Sequence, residues 1–528
     1  MPTPDLPVEL WLEVLGLLPR SMLHKMIGVN RTLFELALDD IYQEIRFIND
    51  DKEMVKSFKQ LKHTNIANRV QHLFIRPAFL PGMDEDEQPR SSFRKSLSSG
   101  FTYVKSHLGV TSCSETPEVI APSPSSKILE AASKAVKLCP NLREITIVLY
   151  DHALTPAFAA FLNSMWSLDS VAPNLLKLNI DTTLVKIPLL LNPLIRCAGQ
   201  LTNLEEIDIT LSVTRFRQSE EDYRLAKLAI QSFLTVFKGT IRSVTLSSSL
   251  IVDLSSLFDG FPILPKLTKF DLRTIFRNET LPNAGSLTRL LSKHASILEH
   301  LVVKTRPRAA TIERSDEIYI KWLNPISKPT SDKQHGFPQL VLPALRTLDV
   351  GLRESDQLGM WPYTSESTPK RPPLPPLSQV TPNITNLTLQ DVRLTFTRVF
   401  EVVKSLTRRE GGAILESLNV SVDVLTPQLF DLFSSELPHL RSLTVDHIDI
   451  SSSTGEYVLR DATFFHNAIQ ARRYHSWQLH YLRVTRPSYS SCTVPHPDTF
   501  VTRSIAKSLP DSVVVDTSRD IACQCNDS

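Results

Sequence analysis

The side chains able to bind a metal or drive a reaction are few and scattered. Cys523-Gln-Cys525 offers two soft sulfur donors, but no second Cys/His pair stands at zinc-finger spacing, so no metal site is expected. His466, His475, His480 and His496 form no i, i+4 pair on a clear helix face. The acidic run Asp84 to Glu87 lacks the glycine turn and spaced oxygens of a calcium loop and reads as solvated. No GxxxxGK[ST], HExxH or GxSxG pattern occurs. Glycine, which phosphate-cradling loops require, is only 15 of 528 residues. No catalysis, cofactor or metal is expected. The 58 basic and 56 acidic residues leave a formal charge of +2, which predicts no attraction to nucleic acid.

What remains is a set of polar residues interleaved with a recurring phrase, apolar-x-x-apolar-x-apolar. The candidates for binding a target are Asn179, Asp181, Asp208, Asp271, Arg273, Asp349, Asn419, Asp446 and Arg483, each beside or between the inner apolar positions of a copy. If the phrase is a strand, its apolar residues enter a core and these residues share the opposite face. They are mixed in sign, so they specify no small ligand, and a protein surface is the expected partner.

The phrase runs from Leu142/Ile145/Ile147, Leu175/Leu178/Ile180 and Leu204/Ile207/Ile209 through Ile241/Val244/Leu246, Leu267/Phe270/Leu272 and Leu298/Leu301/Val303. It continues as Leu345/Leu348/Val350, Ile384/Leu387/Leu389, Leu415/Leu418/Val420, Leu440/Leu443/Val445 and Leu479/Leu482/Val484. In about six copies a proline (Pro140, Pro173, Pro265, Pro343, Pro382, Pro438) stands two residues ahead, stopping a helix and feeding an extended segment. Amphipathic stretches Ile128–Leu138, Phe158–Leu168, Tyr223–Phe237, Leu287–Leu298, Val399–Leu406 and Phe464–Ala471 lie between. One strand and one helix per unit, neither able to bury its apolar side alone, predicts an α/β solenoid with parallel strands inside and helices outside.

The chain divides accordingly: a helical segment 1–50, a linker helix with a first strand 51–81, a polar insertion 82–126, the array 127–490 and a tail 491–528. Residues 304 to 340, with a short helix over Glu317–Leu323, and 354 to 381 interrupt the array. The second interruption carries the polyproline run Lys370 to Leu377. In the first segment Pro7 suits a helix start, Leu10, Val14, Leu17 and Leu18 recur at helical spacing, and Pro19 ends the run. Two further short helices follow, near Ser21 to Val29 and over Leu33 to Ile41. Their apolar residues exceed what some 40 residues can hide, so part of that surface is expected to bind another protein.

Leu6-Pro7-x-Glu9-Leu10, Val14-Leu15, Leu18-Pro19, Leu23 and Gly28-Val29-Asn30-Arg31 with Leu36-Ala37 resemble the F-box pattern in order and spacing. Met22 stands where that pattern often has an acid, and Leu33 where it often has tryptophan. The resemblance implies that Leu6, Pro7, Leu10, Leu15, Leu18, Pro19, Leu23 and Val29 contact the Skp adaptor of an SCF-type ubiquitin ligase and, through it, a cullin. The repeated phrase is similar to the leucine-rich repeat, without the asparagine that usually follows its last leucine and at wider spacing. VNRTLFELA and NIANRVQHLFIRP look like F-box proteins common in mushroom-forming fungi. Together these imply a substrate-recognition subunit whose array binds a protein target. The alternative is a non-catalytic interaction scaffold outside ubiquitin transfer, with the first helices capping the array. Six scattered cysteines and no apolar run of membrane-spanning length predict a soluble protein of the cytoplasm or nucleus. The sequons at Asn278 and Asn383 are then expected to be unmodified.

Overall fold

The computed structural model describes residues 31–80, 124–150, 152–213, 219–305, 336–351, 377–407, 414–452, 462–486, 499–510 and 512–516, with single positions and runs of two or three residues elsewhere. The chain forms two compact units, Met1–Thr240 and Ile241–Ser528. Each is an α/β ladder of parallel strands alternating with helices.

In the first unit the strands are β1 (Glu44–Phe47), β2 (His72–Ile75), β3 (Glu144–Leu149), β4 (Lys177–Thr182) and β5 (Glu206–Leu211). Each pairs in parallel with the next. Register places the apolar phrase positions in two continuous rows, Ile45–Leu73–Ile145–Leu178–Ile207 and Phe47–Ile75–Ile147–Ile180–Ile209. All of these side chains are buried. At about 1.5–3 kcal/mol for each fully buried aliphatic or Phe side chain, the rows fix the register, because a one-residue slip would expose them all.

The second unit continues the scheme with β6 (Ser243–Ser248), β7 (Lys269–Thr274), β8 (His300–Thr305), β9 (Thr347–Val350) and β10 (Asn386–Leu394). Then come β11 (Ser417–Leu425), β12 (Ser442–Ile450) and β13 (Tyr481–Arg486). All pair in parallel in chain order. Val244, Phe270, Leu301, Leu348, Leu387, Leu418, Leu443 and Leu482 form one aligned apolar row.

All eleven phrases therefore lie at strands, and each of the six expected helical stretches overlaps a helix. The boundaries differ where caps decide them. The helix Glu220–Val236 starts three residues before the expected Tyr223. Ser219 accepts from Asp222 N at 3.1 Å, and Asp222 accepts from Ser219 N at 2.9 Å, a reciprocal cap. Helices Ile187–Arg196, Leu254–Asp259 and Pro427–Glu436 were not expected.

Two expectations about boundaries change. The segment assigned to 1–50 already contains β1, the first rung of the ladder. The array also does not stop at 490. Helix Thr499–Ala506 and β15 (Val514–Asp516), which pairs in parallel with β13, add another rung within the supposed tail. β14 (His496–Pro497) pairs antiparallel with the end of β13. Most of 82–126, the run Lys370 to Pro376, Cys523 and Cys525 lie outside the described residues, as do four of the seven residues of the helix expected over Glu317–Leu323, where Ile318, Trp322 and Leu323 are helical.

Neighbouring rungs are joined by two repeated devices. Ahead of most strands one backbone carbonyl accepts from two successive N–H groups of the next rung. Arg143 O takes Leu176 and Lys177, Leu176 O takes Glu205 and Glu206, and Arg441 O takes His480 and Tyr481. The second device is an asparagine just before the first apolar residue of the phrase. Asn141 donates to Asn68 O at 2.7 Å, Asn174 to Pro140 O at 2.7 Å, Asn203 to Pro173 O at 2.6 Å and Asn383 to Pro343 O at 2.7 Å. These struts tie successive rungs together from a position different from that of the missing repeat asparagine. Asn174→Ala is expected to cost about 1 kcal/mol, the usual net worth of one such bond. A urea titration followed by circular dichroism measures it.

Candidate functional site

Along each ladder the face opposite the apolar rows is polar. In the first unit, register aligns Glu44, His72, Glu144, Lys177 and Glu206 in one row and Arg46, Phe74, Thr146, Asn179 and Asp208 in the next. The rows are cross-linked. His72 meets Glu44 Oε2 at 3.1 Å through Nδ1 and Thr146 Oγ1 at 2.9 Å through Nε2. The Asn179 amide donates to Glu144 Oε1 at 2.7 Å and to Thr146 Oγ1 at 3.0 Å. Lys177 Nζ lies 3.0 Å from the same Glu144 oxygen. Burial pushes the Glu44 carboxyl up, but its bonds to Arg46 and His72 outweigh that and hold it below the ordinary carboxylate value. Asp181 accepts from Ser212 Oγ at 2.8 Å.

In the second unit Arg273 grips Asp271 with two bonds, 3.0 Å from Nε and 2.9 Å from an Nη nitrogen. Lys304 Nζ stands 2.7 Å from Asp349 Oδ2. Burial raises the Asp349 carboxyl pKa in spite of that ammonium. Further along, an irregularity of β10 between Leu389 and Leu394 brings Gln390 across β11. Its amide donates to Asn419 Oδ1 at 2.6 Å and to Asp446 Oδ2 at 2.8 Å on β12. Ser421 donates to Asp446 at 3.3 Å, and Thr485 donates to its other oxygen. Burial pushes Asp446 up, while Ser421, Gln390, Arg483 and Arg393 pull it down. Arg483 lies 4.0 Å from Asp516, whose carboxylate accepts from the Tyr481 hydroxyl at 2.8 Å.

All nine residues expected on the target-binding face thus sit on strands, Asn179, Asp181 and Asp208 in the first unit and the other six in the second. The fold gathers Asp271, Arg273 and Lys304 around Asp349, and Asn419 and Asp446 around Gln390. Sequence reasoning left out Glu44, Arg46 and His72, because β1 is four residues long with no proline ahead of it, and because β2 was read as a linker strand. Lys304 occupies in its repeat the position of Arg273 in the one before. Asp516 was lost with the tail. Chemically, these carboxylates accept from amides, hydroxyls and cations. That arrangement makes a shaped, pre-ordered polar surface. Among the described residues no group of three or more His, Cys, Asp and Glu could hold a metal ion. No helix among them is long and apolar enough to cross a membrane.

The second surface is the N-terminal one. Of the residues expected to contact an adaptor, Pro7, Leu10 and Val29 are exposed, Leu10 at 44% and Val29 at 60%. Leu6, Leu15, Leu18, Pro19 and Leu23 lie outside the described residues. Helix Arg31–Tyr42 is apolar on two sides. Leu33 and Ala37 are fully buried, whereas Phe34 and Ile41 are 44% and 43% exposed. Residues 34, 38 and 41 recur at i, i+4 and i+7, so Phe34, Leu38 and Ile41 form one stripe. Leu33, at the place where the F-box pattern often has tryptophan, belongs to the core. Met22 is exposed.

No family model matches the chain, and no curated protein matches it. Among solved structures it is similar to a chain of the yeast Rad7–Elc1 complex, at 14% identity and a TM-score of 0.34, over 63% of this chain and 78% of that one. It is also similar to a Bacteroides fragilis protein, at 14% identity and a TM-score of 0.26, over 60% of this chain and 71% of that one. Neither likeness carries a function to this chain.

Proposed function

We propose that this chain is the substrate-recognition subunit of an SCF-type ubiquitin ligase. Its N-terminal helices dock the Skp adaptor and through it a cullin, and the polar strand faces hold a protein target. The observation that carries the reading is the exposure of large apolar side chains, Leu10, Met22, Val29, Phe34 and Ile41, in the stretch whose sequence resembles an F-box. Such residues in water favour a protein partner. The strand faces complement this with hydrogen-bonded polar groups spread over many rungs, a geometry suited to a polypeptide surface. The chain would supply no chemistry of its own. It would raise the effective concentration of a target beside a ubiquitin-carrying enzyme. The proposal places it in the cytoplasm or nucleus, with Cys139 and Cys197 as free thiols.

Co-expression with a Skp adaptor followed by affinity purification tests this. The wild-type chain is expected to co-purify, and Leu10→Asp combined with Pro19→Ala to weaken capture at least about tenfold, as loss of interface anchors does. A stable, monomeric chain with no adaptor affinity would favour the scaffold reading instead.

A further inference from the structure

The helix carrying Phe34 and Ile41 leans on the ladder with a narrow apolar footing, Leu33 and Ala37 being its only fully buried side chains. On its polar side Arg69 makes several bonds to it. Arg69 Nε donates to Asn65 O at 3.1 Å, which fixes the guanidinium on its own short helix Thr64–Ala67. One Nη nitrogen donates to Glu35 O at 3.0 Å and to the Asp39 carboxylate, and the other donates to the Glu35 carboxylate. Glu35 and Asp39 are one helical turn apart, so a planar fork can engage both at once in a fixed geometry, where a lysine would offer only a flexible point charge. The Arg69 side chain is only 16% exposed, which makes this more than a solvated surface pair.

The place of this clasp in the ladder gives it meaning. Asn68, immediately before Arg69, offers the carbonyl that Asn141 grips, and the same kind of strut recurs at Asn174 and Asn203. The Arg69 clasp is thus the first member of a line of side-chain struts that joins rung to rung through the first unit. We propose that Arg69 is a positioning residue that holds helix Arg31–Tyr42 as an extra rung of the ladder, so that a partner docked on Phe34 and Ile41 sits at a fixed angle to the strand face. The purpose given to that angle rests on the docking reading above, but the clasp itself does not.

The test uses the full chain with Cys113, Cys197, Cys492, Cys523 and Cys525 changed to serine. Cys139 can stay, because burial pushes its thiol up to about 12 and keeps it unreactive. Ile41→Cys and Leu138→Cys, both at exposed positions, carry spin labels, and the distance distribution between them is measured by pulsed electron resonance. A single narrow distance is expected in this background. Arg69→Ala is expected to broaden it about twofold or more while β2 to β4 keep their amide protection, and Arg69→Lys to give an intermediate width. An unchanged width in Arg69→Ala overturns the proposal. If that variant fails to fold, Glu35→Gln with Asp39→Asn, which loosens the same clasp from the exposed side, decides by the same readout. Adaptor capture is measured separately. A narrow distance without adaptor binding would refute the docking reading and leave the clasp standing, and adaptor binding with an unaltered width in the variant would do the reverse.

Discussion

Phe47→Ala is expected to destabilise the first unit by about 3–5 kcal/mol, the usual cost of emptying a large aromatic site in a packed core. Phe47 ends β1 and is 1% exposed. Its ring centroid lies 5.4 Å from that of Phe58, 5.2 Å from Phe79 and 5.9 Å from Phe161. One side chain thus joins the first strand, the helix Lys52–Gln60, the segment after β2 and the helix Pro156–Trp166. Two of the three contacts are edge-to-face, a geometry that adds to the area buried. A shift of the urea midpoint at unchanged slope reports the loss, and amide exchange reports its location. Residues 44–47 and 72–75 should lose protection first, with β5 the least affected, because a ladder transmits stability mainly between neighbours. If 44–47 exchanged freely in the wild type, β1 would not be a rung of the array.

His294→Ala is expected to cost the second unit about 2–4 kcal/mol, combining a cavity with two buried groups left without partners. His294 caps helix Gly285–Lys293 and is 1% exposed. Its Nδ1 lies 2.9 Å from Leu290 O, and its Nε2 accepts from Leu264 N at 3.0 Å. The ring is therefore neutral with its hydrogen on Nδ1, and it ties the end of one helix to the turn that feeds β7. Protonation would put a second N–H against the Leu264 donor and break that bond. Burial lowers the pKa below its ordinary 6.5, the bond to Leu290 opposes the shift, and the charge of Lys293 reinforces it. The sign follows by linkage. Between the folded and unfolded pKa values the unfolded chain binds more protons. The stability His294 supplies is complete above about pH 6.5 and is lost as the pH falls toward the folded value, by at most about 1.4 kcal/mol per pH unit. Urea titrations from pH 7.5 down to 5 should show this slope in the wild type and lack it in His294→Gln.

Much of this architecture is written locally. Proline two residues before an apolar triplet forces an extended start after a helix stop, and each of the eleven triplets lies at a strand. The polar residues between the apolar positions had to share one face, since side chains alternate along a strand. Asn179, Asp271, Arg273 and Asp446 could be placed on it from spacing alone. The reciprocal cap of Ser219 with Asp222 was not read from the sequence, and the expected helix began later.

Other features depend on contacts between residues far apart in the chain. β1 has four residues and no punctuation, and it is a strand because Ile45 and Phe47 complete rows begun by β2 and β3. β15 exists because β13 offers it an edge. Gln390 reaches Asp446 only because β10 departs from regular pairing, a displacement its own sequence does not announce.

The sequence by itself determined the class of fold, the alternation of strand and helix, and which face of each strand is polar. These follow from periodicity and from proline, which act over a few residues. The tertiary structure decided where the ladder begins and ends, which polar residues meet, and that Leu33 turns inward while Phe34 and Ile41 stay exposed. The clasp of Arg69 on Glu35 and Asp39 belongs to the same kind, since it joins positions 30 and 34 apart in sequence. Pairings at such separations are set by packing and register, to which local propensity is blind.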